Sequence, residues 1–114
     1  MRRTFKDYIE DIINSIQEIK EFSAGMVFNE FVKDKKTINA VIRSLEVMGE
    51  AAKKIPAEIK NKYPKIPWNY MAGMRDKLIH EYHGVDLEIV WEVVEKDIQN
   101  IEPYLKKILE ELKE

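Results

Sequence analysis

The sequence predicts an all-α fold, an up-and-down antiparallel bundle of four main helices with a short extra helical turn, and three observations lead there. Apolar residues recur three and four apart along nearly the whole chain. No stretch alternates apolar with polar residues as a half-buried strand would, and no repeat period competes. The breaks between periodic stretches hold proline, glycine or a capping aspartate, as helix ends require.

The first helix begins at Phe5, where Phe5, Tyr8, Ile9, Ile12, Ile16, Ile19 and Phe22 form one stripe. Thr4 and Asp7 before it have the spacing of a capping box, and Ser23-Ala24-Gly25 breaks the pattern. A second helix runs from about Asp34 to Ile55 with Ile38, Val41, Ile42, Leu45, Met48, Ala52 and Ile55 as its buried stripe, and Pro56 ends it. The short helical turn falls before the proline-marked loop Tyr63 to Pro67. Pro67 suits the first position of a third helix, placed at Trp68 to Tyr82 and closed at Gly84. Asp86 caps the fourth. Leu87, Trp91, Val94, Ile98, Ile101, Leu105, Ile108 and Leu112 alternate four and three apart, a heptad seam that can line a bundle core or a partner helix. Pro103 lies off this seam and is expected to kink the helix by removing the bond to the carbonyl of Gln99.

A chain of 114 residues with 45% hydrophobic content is long enough to bury a core without disulfide or metal staples, so residues 1–114 are expected to form a single domain. The sequence has no cysteine, which excludes a disulfide framework, a thiolate metal site and a thiol nucleophile. The segment MRRTFKDYIEDI lacks an apolar h-region, and no run approaches the roughly 18 apolar residues that span a bilayer. A soluble cytoplasmic protein is the expectation.

The net charge of −2 hides a gradient. Residues 1–80 hold 15 Lys and Arg against 11 Asp and Glu, whereas residues 81–114 hold 4 against 10. Lys53, Lys54, Lys60, Lys62 and Lys65, with only Glu58 among them, make the stretch before the third helix locally positive. They form a candidate rim for RNA phosphates, or a solvated lysine-rich loop.

Chemistry concentrates in one place. Within PWNYMAGMRDKLIHEYHGV, Arg75, His80 and Tyr82 stand as R-x4-H-x-Y, bringing a permanent cation, a neutral-pH proton carrier and a phenol within about two helical turns. Met71, Met74, Leu78, Ile79 and Tyr82 form the apolar face of the third helix, and Arg75 falls in its middle. A guanidinium there pairs with a carboxylate or lines a wet cleft able to receive an anion. His80 projects about 140° away, beside Asn69, Ala72, Gly73 and Asp76. One straight helix therefore does not bring Arg75 and His80 together, but a twofold dimer joining the third helices of two chains would create a composite cleft. Asp76, one turn before His80, is placed to orient the imidazole and favour its charged form; a packing or capping role for the histidine is the alternative.

Trp68 and Tyr70 read either as stacking platforms or as core residues at a helix start. His83 reads as part of the helix terminus, and Arg43, Glu46 and Glu50 as a solvated stripe opposite the core. Two histidines three apart, with no carboxylates at a recognised spacing, support no metal site.

The segment PWNYMAGMRDKLIHEYHGVDLEIVW, with the preceding EVMGEAAKKIP, resembles the HepT-like branch of the HEPN superfamily, toxin partners of minimal nucleotidyltransferase (MNT) antitoxins. The resemblance extends over essentially the whole chain. It implies that Arg75 and His80 are the catalytic pair, Asp76 the supporting polar residue after the arginine, and Tyr82 the tyrosine that a cognate antitoxin adenylylates. His83 stands where the family has an aromatic. The implied protein is the toxin of a type II toxin-antitoxin system, a cofactor-free, metal-independent endoribonuclease. It would be a homodimer cutting RNA at its subunit interface, with an MNT nucleotidyltransferase as partner and no membrane association. A noncatalytic module that docks a nucleotidyltransferase, or binds nucleotide or RNA without cutting, is the alternative, and a purely structural helical dimer a third.

Overall fold

The computed structural model describes residues 3–80 and 86–112, with the backbone alone over 75–80. Among the described residues seven α-helices follow one another: α1 (Phe5–Ser23), α2 (Phe28–Phe31), α3 (Lys35–Lys53), α4 (Ala57–Lys62), α5 (Trp68–His80), α6 (Leu87–Glu92) and α7 (Ile98–Leu112). A π-helical turn, Val93–Asp97, joins α6 to α7, so the two read as one long rod. Among the described residues there is no strand. The four main helices are α1, α3, α5 and this rod, the bundle anticipated from periodicity, with α4 as the extra turn.

The ends form for local reasons. At α1 the Asp7 carboxylate accepts the Thr4 backbone N–H at 2.8 Å and the Thr4 hydroxyl at 3.3 Å. Asp34 caps α3 by accepting the Thr37 N–H at 3.0 Å and its hydroxyl at 2.8 Å, and the backbone donor, chiefly, holds the Asp34 carboxyl below its ordinary range. Asp86 caps α6 through the N–H groups of Glu88 and Ile89 at 3.0 and 3.3 Å. Gly25 turns the chain after α1 with φ of 75°, a left-handed conformation that a Cβ would strain.

α3 lies between α1 and α5, and α1 also packs on α7. The core is built from Ile9, Ile12, Ile16 and Ile19 of α1, Val41, Leu45, Met48 and Ala52 of α3, Met71 and Met74 of α5, and Ile98, Leu105 and Ile108 of α7. Phe22, placed on the α1 stripe from sequence, is instead 39% exposed, because it sits in the last turn beyond the packed length. Leu112 leaves the seam in the same way at the end of α7. Short α2 was not anticipated, since four residues are too few for periodicity to register. It delivers Phe31, fully buried, to the Trp91 ring at a centroid distance of 4.9 Å.

Pro103 lies inside α7, and helical structure continues through it. Both Pro103 and Gln99 are exposed, so water can satisfy the carbonyl that loses its donor. The departure from α geometry lies upstream, where the N–H of Ile98 donates to the carbonyl of Val93, five residues back. Glu102, one residue before the proline, is buried. Its carboxylate pairs with Lys20 and accepts from Gln17 Nε2 at 2.9 Å, tying α7 to α1 by a satisfied charge. Among the described residues no helix is long and apolar enough to cross a membrane.

Candidate functional site

α5 starts where Ile66 and Trp68 are pinned. The Trp68 ring is 4% exposed and its Nε1 donates to the Tyr63 carbonyl at 3.1 Å. Trp68 is thus a core anchor, while Tyr70, two residues on, is 45% exposed and donates its hydroxyl to Asp97 of the π turn at 3.0 Å. Loss of water around the phenol, and then the Asp97 carboxylate, push the Tyr70 pKa up to about 12.

The first turns of α5 define two faces. Trp68, Met71 and Met74 are buried, whereas Asn69 and Gly73 are exposed. An ideal Cβ built on Gly73 meets none of the described residues within 4 Å. The helix is unbroken from Trp68 to His80, so its 3.6-residue period carries this register forward. Position 75 returns to the azimuth of Trp68, within about 20°, and position 80 to that of Gly73 and Asn69. Arg75, Asp76 and His80 all lie on α5; their side chains, and Tyr82 and His83 entirely, fall outside the described residues. The anticipated closure of this helix at Gly84 also falls outside them.

The five candidate rim lysines divide between two places. Lys53 is the last residue of α3 and Lys54 its C-cap. Lys54 Nζ lies 5.9 Å from the Tyr8 ring centroid, in a groove of about 270 Å³ between α1 and α3. Arg43, Glu46 and Glu50 line this open groove with Arg3 and Asp11, Arg43 and Glu50 exposed as a solvated stripe requires. Lys60 and Lys62 lie on α4 and Lys65 in the loop before α5. There Lys62 Nζ is 5.6 Å from the Tyr63 ring and Lys65 Nζ 6.0 Å from the Tyr104 ring. Tyr104 and Lys107, three apart on α7 and off its seam, meet these lysines only in three dimensions. Their sequence signal was an aromatic and a cation sharing one solvated helix face.

Among the described residues no group of three or more histidine, aspartate or glutamate side chains is gathered to hold a metal.

Comparison with known proteins assigns the class. Residues 12–108 match the family described as "Ribonuclease HepT-like". A Thermococcus cleftensis protein named "Probable ribonuclease HepT" is 49% identical over 108 residues, 95% of this chain and 98% of that protein. "Putative RNase MJ0127" of Methanocaldococcus jannaschii is 47% identical over 94% of this chain and 92% of its own length. "Putative RNase MJ0125" of the same organism is 46% identical over 99% and 97%. The chain belongs to the HepT-like ribonuclease family of the HEPN superfamily. No solved structure matches it.

Proposed function

We propose that residues 1–114 act as one HepT-like domain that cleaves RNA internally without a metal ion, as a homodimer whose cleft is shared by two chains. The observation that supports this most directly is the presence of Arg75 and His80, five residues apart on unbroken α5, in a chain of this family. RNA supplies its own nucleophile. The 2′-OH attacks the adjacent phosphorus, His80 takes its proton and the imidazolium returns one to the departing 5′ oxygen, and Arg75 stabilises the charge that builds on the phosphorane oxygens. The products are a 2′,3′-cyclic phosphate and a 5′-OH end, and DNA, lacking the 2′-OH, is not cut.

The half-turn offset between positions 75 and 80 is why a second chain enters the reading. The open face holding Asn69 and Gly73 has room for another backbone, and His80 shares its azimuth. Asp76 is the positioning residue for the imidazole. Tyr82, seven residues after Arg75 in the chain, is the residue we assign to adenylylation by an MNT nucleotidyltransferase antitoxin. An adenylyl group there adds bulk and a negative phosphodiester in front of the arginine, silencing a type II toxin.

The test is incubation of the unmodified chain with total cellular RNA in EDTA, beside Arg75→Ala and His80→Ala. Cyclic-phosphate ends that both substitutions abolish, with the dimer retained, are the expected result. Intact RNA from a protein whose mass shows no adduct on Tyr82 would instead favour the noncatalytic binding module.

A further inference from the structure

The loop between α4 and α5 borders three adjoining recesses, two of which reach α7. The first, about 340 Å³, is lined by Lys62, Tyr63, Lys65, Tyr104, Lys107 and Glu111. The next, about 410 Å³, shares Lys65 and Tyr104 with it and extends to Tyr70, Asp97 and Asn100. The third, about 390 Å³, shares Tyr70 and adds Lys60 and Asn61. Together they form a track from the end of α7 to the start of α5.

Its chemistry is of one kind. Among the described residues four lysines and two carboxylates line the recesses, with Glu92 close enough to act on Tyr70, and each lining carboxylate already accepts a tyrosine hydroxyl, Glu111 from Tyr63 and Asp97 from Tyr70. The cations thus outnumber the acids, and the acids are partly occupied. Two rings on the track stay open to solvent, Tyr104 at 43% and Tyr70 at 45% exposure. Each lies beside a lysine in the same recess. An open aromatic face next to a cation binds an unpaired base by stacking while the cation meets the neighbouring phosphate. A duplex keeps its base faces covered and cannot use the rings. An acidic polypeptide would use the lysines and leave the rings bare. The track also ends in a useful place. Along the α5 axis Arg75 lies about 7.5 Å and His80 about 15 Å beyond Tyr70.

We propose that the track formed by Lys62, Lys65, Tyr70, Tyr104 and Lys107 binds a single-stranded segment of RNA and leads it to α5. This rests on the ribonuclease reading and names the form of substrate that reading would take. Bases stack on Tyr104 and Tyr70, and phosphates pair with the three lysines.

The experiment is fluorescence anisotropy with a fluorescein-labelled oligoadenylate of roughly 12 nucleotides, using His80→Ala as the parent so that the probe stays whole. Tyr104→Ala is expected to weaken binding by about 5- to 150-fold, the range for losing one stacked base, and Tyr104→Phe to leave it unchanged. Lys62→Glu/Lys65→Glu/Lys107→Glu is expected to lower the slope of log K against log salt by about 2, since three single-strand phosphate contacts are lost. Lys62, Lys65, Tyr104 and Lys107 are exposed, and thermal melting checks that each variant folds. Unchanged affinity in the Tyr104→Ala and triple-lysine variants overturns the proposal, as does equal loss in Tyr104→Phe. Displacement of the probe by polyglutamate as readily as by unlabelled oligoadenylate overturns it too, because the track would then read charge alone. Failure here is separable from failure of the ribonuclease reading. With His80 restored, RNA cleavage together with unaltered binding in the track variants would refute only the track. Absent cleavage with binding lost in those variants would refute only the ribonuclease.

Discussion

At the scale of single residues, the largest contributions come from side chains whose partners lie far away in sequence. Phe31 is fully buried against Trp91, yet it belongs to a four-residue helix that no periodicity announced. Phe31→Ala is expected to cost about 3–5 kcal/mol in urea unfolding, the transfer term plus the cavity left behind; a loss below 1 kcal/mol would mean that α2 does not seal the core. Tyr70 supplies a pH signature. Its pKa is raised to about 12, above the roughly 10 of an unfolded tyrosine, so folding favours the neutral phenol. The stability it contributes is complete below pH about 10 and is lost as pH rises through about 12. Relative to Tyr70→Phe, the parent should therefore lose stability as pH rises from about 10 to about 12 in paired melts. The sequence exposed the proposed pair, Arg75 and His80, because a fixed five-residue spacing is a one-dimensional property. It could not expose Glu102 joined to Lys20, or Tyr104 beside Lys65, since these pairs exist only once helices are packed.

At the scale of elements, α1, α3 and α5 followed from apolar period and end chemistry, and their starts at Phe5, Lys35 and Trp68 match caps or a proline readable in the chain. The fourth element was harder. A heptad seam from Leu87 to Leu112 implied one regular helix, whereas the structure interrupts α geometry with a π turn at Val93–Asp97. Apolar spacing reports which residues face the core and is silent on how the backbone between them closes its hydrogen bonds. In α5, Gly73 sits on an open helical face, where an added Cβ meets none of the described residues within 4 Å. Nothing among them packs against that position, and Gly73→Ala should stabilise an isolated monomer by about 0.5–1 kcal/mol through helix propensity. If α5 meets its twin in a dimer, Gly73→Trp should shift the protein from twice 13.5 kDa to 13.5 kDa in sedimentation while its helix content stays. A tryptophan variant that remains dimeric would move the interface to another face.

At the scale of the whole molecule, the order of packing has a consequence for how the chain comes together. α3 touches both α1 and α5, its neighbours in sequence among the main helices, whereas α7 reaches α1 across nearly the full chain. Contacts closed by short loops form first, because less chain entropy is lost in making them, and distant ones follow. The three-helix unit α1, α3, α5 should assemble early and the rod from α6 to α7 should dock onto it afterwards. In native-state hydrogen exchange the amides of Leu45 and Met48 are accordingly expected among the slowest, and those at the end of α7 among the fastest, separated by sub-global opening. Uniform protection across α3 and α7 would show instead that the bundle opens in one step. A terminal rod that detaches before the rest unfolds would also make α1, the surface it leaves, the first apolar face presented to other chains under stress.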